Sequence, residues 1–226
     1  MITHGPSGTA KRSATLILTL RAGGPQIVPP FVLFRGKGCL EPKLLADLQE
    51  HGIPYAFNEK AWANEEMCME HLVFFHQTVK SCCPEVRETM LLLDGLSCQA
   101  TNRFIELALD LNILPVYFPP NCTHLVQPVD HRVAAFIKKC LHSLFKVEEL
   151  MYNEWMQYRE NKTMNPQYQR NLILKWITSA WHELCTRQPT LLRHAFTSTG
   201  CLITLKGEHQ IKFPDIDNYD FIYPSA

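Results

Sequence analysis

Asp94 closes the short apolar run "ETMLLLD", and Asp130 closes the stretch "YFPPNCTHLVQPVD". Aspartates are hard oxygen donors of the kind magnesium takes. Two-metal phosphoryl transfer uses such carboxylates to hold and bridge ions about 3.5–4 Å apart. Three or more acids usually share that task. The plainer role for Asp130 is a helix cap, because an acid at a helix start is favoured by the dipole and accepts from free N–H groups. Both roles stand open at this point. Pro119, Pro120 and Pro128 lie in the loop ahead of Asp130. Each fixes φ and lowers the entropy of the free chain, so the loop can deliver its last residue to a defined place.

The elements that must position these acids follow from hydropathy patterning. "SATLILTL" and "FVLF" are apolar and β-branched, with turn chemistry in "RAGGPQIVPP" between them, and predict an antiparallel hairpin. From Asn64 to about Lys80, the positions Met67, Leu72, Val73, Phe75 and Val79 recur at helical spacing and Pro84 follows. "ETMLLLDG" predicts a strand buried on both faces, with Asp94 at its carboxyl end. "TNRFIELALDLN", capped by Thr101, is a crossover helix into a second strand, "ILPVYF". The unit is βαβ and therefore parallel, which places Asp94 and the proline loop at the strand ends where α/β folds gather their sites. Asp130 then begins a helix whose apolar face carries Val133, Phe136, Ile137, Cys140, Leu141 and Leu144.

Bulk properties bound the rest. The chain has 226 residues, 46% hydrophobic and 19% charged, enough for a packed core in one or two domains. Its 22 Lys and Arg balance 22 Asp and Glu. A zero net charge gives no global attraction to nucleic acid, so any contact of that kind rests on a local patch. The nine cysteines form no C-x-x-C pair, "MITHGPSGTAKR" has no signal-peptide pattern, and no apolar run is long enough to span a bilayer. That combination points to a reducing compartment.

Other candidates are weaker. Glu65, Glu66 and Glu70 share the helix between the hairpin and the parallel strands, where charged residues are usually solvated. Asp215, Asp217 and Asp220 lie in an acidic tail of the kind that is usually solvated or disordered. Cys68, His71, His76, Cys82 and Cys83 cluster in sequence, but a spacing of five turns His71 and His76 to different sides of a helix. His124 and His131 flank Asp130 and are candidates to orient it or to contact a phosphate, with a surface role as the alternative. No glycine-rich phosphate loop follows a strand.

"KRSATLILTLRAGGPQIVPPFVLFRGKG", "LLLDGLSCQATNRFIELALDLNILPVYFPPNCTHLVQPVDHRVAAFIKKCLHSLF" and the pair "WITSAWHEL" and "LLRHAFTSTG" resemble the DDE superfamily endonuclease domain of pogo-type transposases, with its Tigger, Jerky and centromere protein B-like relatives. The second block carries most of the likeness, with 35 residues between Asp94 and Asp130. The resemblance implies an α/β, ribonuclease H-like fold in which Asp94 and Asp130 are the second and third catalytic and metal-holding acids. It further implies magnesium or manganese as cofactor, DNA as partner, a nuclear location, and attack on a phosphodiester by water and then by a 3′-hydroxyl. A protein partner or homo-oligomer is left open, and no membrane contact is implied.

Nothing ahead of Lys11 matches the family's first aspartate or the strand that carries it. The expected fold is therefore one that lacks its first, central strand, with an antiparallel hairpin plus a parallel βαβ unit followed by C-terminal helices. Its loss would leave two unpaired ladders facing one another, unless the hairpin closes onto the "MLLLD" strand or an upstream segment supplies the missing piece. With one acid absent, little or no cleavage is expected. Cys98 stands where relatives often show histidine and reads as a small buried apolar residue.

The expected organisation is a disordered 1–10, a partial core over 11–145, a helical extension over 146–210 and a tail over 211–226. Within the extension, "VEELMYNEWMQYREN" is read as a helix packing through Leu150, Trp155 and Tyr158. "RNLILKWITSAWHEL" is a second, packing through Leu172, Leu174, Ile177, Ala180, Trp181 and Leu184, with Trp176 off that face and exposed.

Overall fold

The hairpin forms as its pattern requires. In the computed structural model, which describes residues 14–22, 24–37, 53–147 and 166–201, β1 (Ala14–Ile17) pairs antiparallel with β2 (Phe31–Arg35). A third strand, β3 (Tyr55–Asn58), adds to β2 in parallel, with Val32 opposite Tyr55 and Arg35 opposite Asn58. Sequence patterning did not reveal β3, because four residues without alternation fall below the usual strand signal. β2 is the middle strand and the most buried, with Val32, Leu33 and Phe34 wholly excluded from solvent.

Helix α1 spans Glu65–Cys82. The Asn64 side chain accepts a 2.9 Å bond from the Met67 N–H, satisfying one of the free donors of the first turn. Glu65 and Glu66 follow at the positive end of the dipole and Lys80 sits at the other. Its buried stripe is Cys68, Leu72 and Phe75, so the cysteine joins the packing face. Beyond it, β4 (Thr89–Leu93), α2 (Asn102–Asp110) and β5 (Ile113–Tyr117) form the expected parallel βαβ unit, from Thr89 opposite Ile113 to Leu93 opposite Tyr117. Thr101 caps α2, accepting from the Phe104 N–H at 3.3 Å. Pro115 is tolerated because β5 is the outer strand of this two-stranded sheet among the described residues.

Two cores sandwich the strands. Leu72, Phe75, Leu93, Phe104 and Ile113 pack on the α1 and α2 side. On the other side, α3 (Ala134–Val147), α4 (Pro166–Arg187) and α5 (Pro189–Ser198) pack Ile137, Ile177, Leu184 and Leu192 against Val32 and Phe34. α5 stops at Ser198, with Gly200 at φ 75° providing the left-handed exit that favours glycine.

Three expectations need correction. The strand carrying Asp94 is not buried on both faces: Met90 is 61% exposed and faces Leu114, 56% exposed, on the adjacent strand. No described element covers that side. Trp176 is buried at 5% exposure, edge-on to Phe145 at 5.7 Å, because α4 is packed on more than one side. Asp130 does not begin a helix. It sits in a wide turn, Val129–Val133, in which Arg132 has φ 76°, and α3 starts only at Ala134. The calls on residues 1–10, on Leu150, Trp155 and Tyr158, and on the tail with Asp215, Asp217 and Asp220 lie outside the described residues.

The sheet is split. Among the described residues β1 pairs only with β2 and β4 only with β5, so the hairpin does not close onto β4. A cavity of about 710 Å³ lies between them, lined by Ala14–Ile17 of β1 and Thr89–Leu93 of β4. The two strands run in opposite directions along α1. The Thr15 hydroxyl donates to the Ala61 carbonyl at 2.6 Å just ahead of α1, and the Thr19 hydroxyl lies 3.2 Å from His71 Nε2 further along it. β4 instead starts beyond the carboxyl end of α1 and finishes near its beginning, where Cys98 Sγ lies 3.3 Å from Cys68 Sγ.

Equilibrium urea unfolding distinguishes the packed helix from the open strand face. Leu184→Ala, at 0% exposure, is expected to cost about 2–5 kcal/mol through lost contacts and a cavity. Met90→Ala is expected to stay within about 0.5 kcal/mol of the parent.

Candidate active site

Asp94 and Asp130 reach one cavity from different elements. Asp94 leaves the end of β4 and lies half-buried, and Asp130 is exposed on the wide turn after Pro128; both line the cavity between β1 and β4. The proline loop reaches that turn through a short helical turn, Thr123–Val126, and the Asp130 N–H donates to the Gln127 carbonyl at 3.1 Å. The turn is held from outside. His131 Nδ1 lies 3.0 Å from the Ser198 hydroxyl at the end of α5, and the Cys201 thiol donates to the Val126 carbonyl at 3.3 Å. Asp130 lies inside the wide turn and not at the residue that precedes α3, so it does not stand where a cap of that helix would.

The charge state of Asp94 reflects its surroundings. Burial against apolar neighbours pushes its carboxyl above the usual aspartate value. Bonds from the Leu96 N–H and its own N–H pull it back down, and the negative charge of Asp130 pushes it up again. The two acids therefore sense one another. A like-charged pair that is partly desolvated stores repulsion which a divalent cation between them would relieve. Gln99 lines the same cavity, and its Oε1 is buried without a hydrogen-bond partner among the described residues.

The remaining candidates are placed elsewhere. Glu65 pairs with Arg103 at 3.0 Å, and Glu66 and Glu70 are exposed. His124 is exposed on the short helical turn, and His131 faces Ser198. Among the described residues no group of three or more His, Cys, Asp or Glu is arranged to hold a metal. His71 packs edge-on to Phe31 at 5.6 Å, and burial lowers its pKa to about 4, so it is neutral at physiological pH. Cys98, expected as a small apolar filler, packs half-buried against the α1 and α2 core, and its Sγ accepts a hydrogen bond from the Cys68 thiol at 3.3 Å. Burial, the bond to Cys98 and the nearby Asp94 charge push the Cys68 thiol up to about 12. Gln99, Gln127 and Ser198 went unnoticed in the sequence because polar residues at turns are too common to single out.

Carboxylate oxygens such as those of Asp94 and Asp130 are donors of the kind a hard divalent cation takes. Magnesium characteristically takes one or two carboxylates and keeps waters or phosphate oxygens at its other positions. A bridged pair of ions would need a further carboxylate.

A model of the DDE superfamily endonuclease family matches residues 11–189. An MFS-type transporter, clz9, of Cochliobolus lunatus is 30% identical over 116 residues, covering 51% of this chain and 12% of that protein. The chain thus spans only a small fraction of that relative's length. No solved structure matches. Among the described residues no helix is long and apolar enough to cross a membrane.

Two measurements check the site's electrostatics. A carboxyl with a raised folded value favours the folded state when protonated, and that advantage is lost as pH rises through the shifted value. Asp94→Asn should therefore raise the melting temperature at pH 7 by up to about 2–4 °C, the effect of about 1 kcal/mol in a chain of this size, solvent screening keeping it below that bound. The gain should vanish as pH falls through the shifted value toward 3.8, the ordinary value for aspartate. Separately, with its pKa at about 12, Cys68 should resist iodoacetamide at pH 8 while exposed Cys82 reacts, as peptide mapping would show.

Proposed function

We propose that this chain, which belongs to the DDE superfamily endonuclease family, is a pogo-type, transposase-derived domain that contacts DNA and holds a divalent cation between Asp94 and Asp130. The observation that carries this is the convergence of the two carboxylates on one cavity, with Asp130 raising the proton affinity of Asp94. Magnesium or manganese is the cofactor of choice, since the donors are carboxylate oxygens. Asp94 and Asp130 would hold such a cation, which would supply Lewis-acid chemistry toward a phosphodiester.

The chain's own residues supply the rest. The Leu96 N–H holds the Asp94 carboxylate, and the clamp of α5 on the wide turn through Ser198 and Cys201 sets where Asp130 projects. The apolar walls strengthen electrostatic attraction inside the cavity. In this proposal the partial core of 11–145 bears the site, α4 and α5 of the helical extension over 146–210 pack behind it, and the protein works in the nucleus, where its DNA partner lies. Strand cleavage and transfer are lost in this chain, because only two carboxylates meet at the site among the described residues.

A second reading, a non-enzymatic contact module, is favoured by the apolar ladder of Met90, Leu114 and Val116, exposed at 61%, 56% and 36%. A docked protein would cover such a face.

Calorimetric titration with manganese separates the two. The metal reading expects one site of micromolar to millimolar affinity, weakened at least tenfold in both Asp94→Asn and Asp130→Asn, with no nicking of supercoiled DNA. Binding unchanged in both variants rejects that site, and nicking that depends on Asp94 rejects the loss of cleavage.

A further inference from the structure

Two thiols from distant parts of the chain meet beside Asp94. Cys68 stands one turn into α1, 4% exposed, in the same core as Leu72 and Phe104. Cys98 stands in a single 3₁₀ turn, Ser97–Gln99, half-buried beside exposed Ser97. The Cys68 S–H donates to the Cys98 sulfur at 3.3 Å. A disulfide is about 2.05 Å long, so bonding the two sulfurs takes a shift of roughly 1.2 Å.

The two sides differ in how readily they give. Cys68 is held by its helix, its N–H donating to the Asn64 carbonyl at 3.0 Å and its side chain lying on the buried stripe. The turn that carries Cys98 contains no buried residue and follows Gly95, which has φ 76° and nothing within 4 Å of where a side chain would begin. Glycine takes that backbone without strain and leaves the turn free to swivel. Leu96 links the turn to the acid: its N–H bonds the Asp94 carboxylate, and its carbonyl accepts from the Gln99 N–H at 2.8 Å. Movement of the turn toward α1 is therefore felt at Asp94.

We propose that Cys68 and Cys98 form an oxidisable dithiol site whose oxidant is the disulfide of a small thiol such as glutathione, and that its closure draws the Ser97–Gln99 turn onto α1 and moves the backbone that holds Asp94. Cys98, the more exposed sulfur, attacks first as its thiolate. It bonds to one sulfur of glutathione disulfide, that S–S bond breaks, and one glutathione leaves as a thiolate. Cys68 then attacks the Cys98 sulfur of the mixed disulfide, the protein disulfide forms, and the second glutathione leaves. The two protein protons end on the two released glutathiones, so two protein thiols are oxidised as one small disulfide is reduced. Burial keeps Cys68 protonated at neutral pH. It therefore takes the second step, where the sulfur it attacks is already close at hand. In a reducing compartment the dithiol is the resting state, and the site closes when oxidised glutathione accumulates. The inference stands on the two sulfurs and requires no cation at Asp94 and Asp130.

Peptide mapping of the full chain after exposure to glutathione disulfide tests this. Trypsin releases Cys68 within 61–80 and Cys98 within 88–103, each the sole cysteine of its peptide. The expected major product is these two peptides joined, and separated again by dithiothreitol. Cys68→Ser should instead retain glutathione on Cys98, and Cys98→Ser should leave Cys68 unmodified. In the joined form of the parent chain the NMR amide signals of Gly95 and Leu96 should shift, while that of Val32 in β2 stays in place. Cys98 left unreacted or still carrying glutathione in the parent chain, a disulfide to some other peptide in place of this one, or unmoved Gly95 and Leu96 signals would overturn the proposal.

Discussion

Each backbone N–H and C=O in a strand needs a partner, and burying one without it costs on the order of 1–3 kcal/mol. That requirement organises this molecule. β2 meets it on both sides, between β1 and β3, and is the most buried strand. Among the described residues β1 pairs with β2 and β4 with β5, and the cavity lies between β1 and β4. The two cores approach from opposite layers without closing that space: α1 and α2 pack beneath β4 and β5, while α3, α4 and α5 pack above the hairpin. The helices thus support two half-sheets side by side.

The acids inherit their properties from the same arrangement. Asp94 is carried to the cavity because β4 ends there, and its carboxyl is raised first by burial and then by the charge of Asp130. Asp130 arrives by a less regular route. The proline loop, the left-handed Arg132 and the clamp from Ser198 replace the helix start that would have been the simplest way to present an acid. Left-handed backbone at a non-glycine residue carries a cost that surrounding contacts must offset. Here those contacts come from α5, which ties the C-terminal helices to the site although they add no carboxylate to it.

Much of this was legible in the residues. The hairpin, α1, and the βαβ unit ending in Asp94 with its helix capped by Thr101 all followed from alternation, helical spacing and capping, because each is a local signal. The convergence of Asp94 and Asp130 followed from placing both beyond strand ends. What was not legible depended on partners distant in sequence. β3 exists because β2 offers an edge. Trp176 is buried because Phe145 meets it, and Met90 is exposed because no described element covers its face. The turn at Asp130 was hidden for a different reason. "QPVDHRV" is compatible with a helix start by composition, and only the packing of α5 selects another geometry.

The central claim is that β4 pairs with β5 alone among the described residues, and amide hydrogen exchange followed by NMR tests it most directly. The N–H groups of Met90 and Leu92, which point into the cavity, should exchange on the order of 100-fold faster than those of Val32 and Leu33 in the fully flanked β2. Equal protection at all four positions would mean that the β4 edge is already paired, and would contradict the split sheet from which the rest of the account is built.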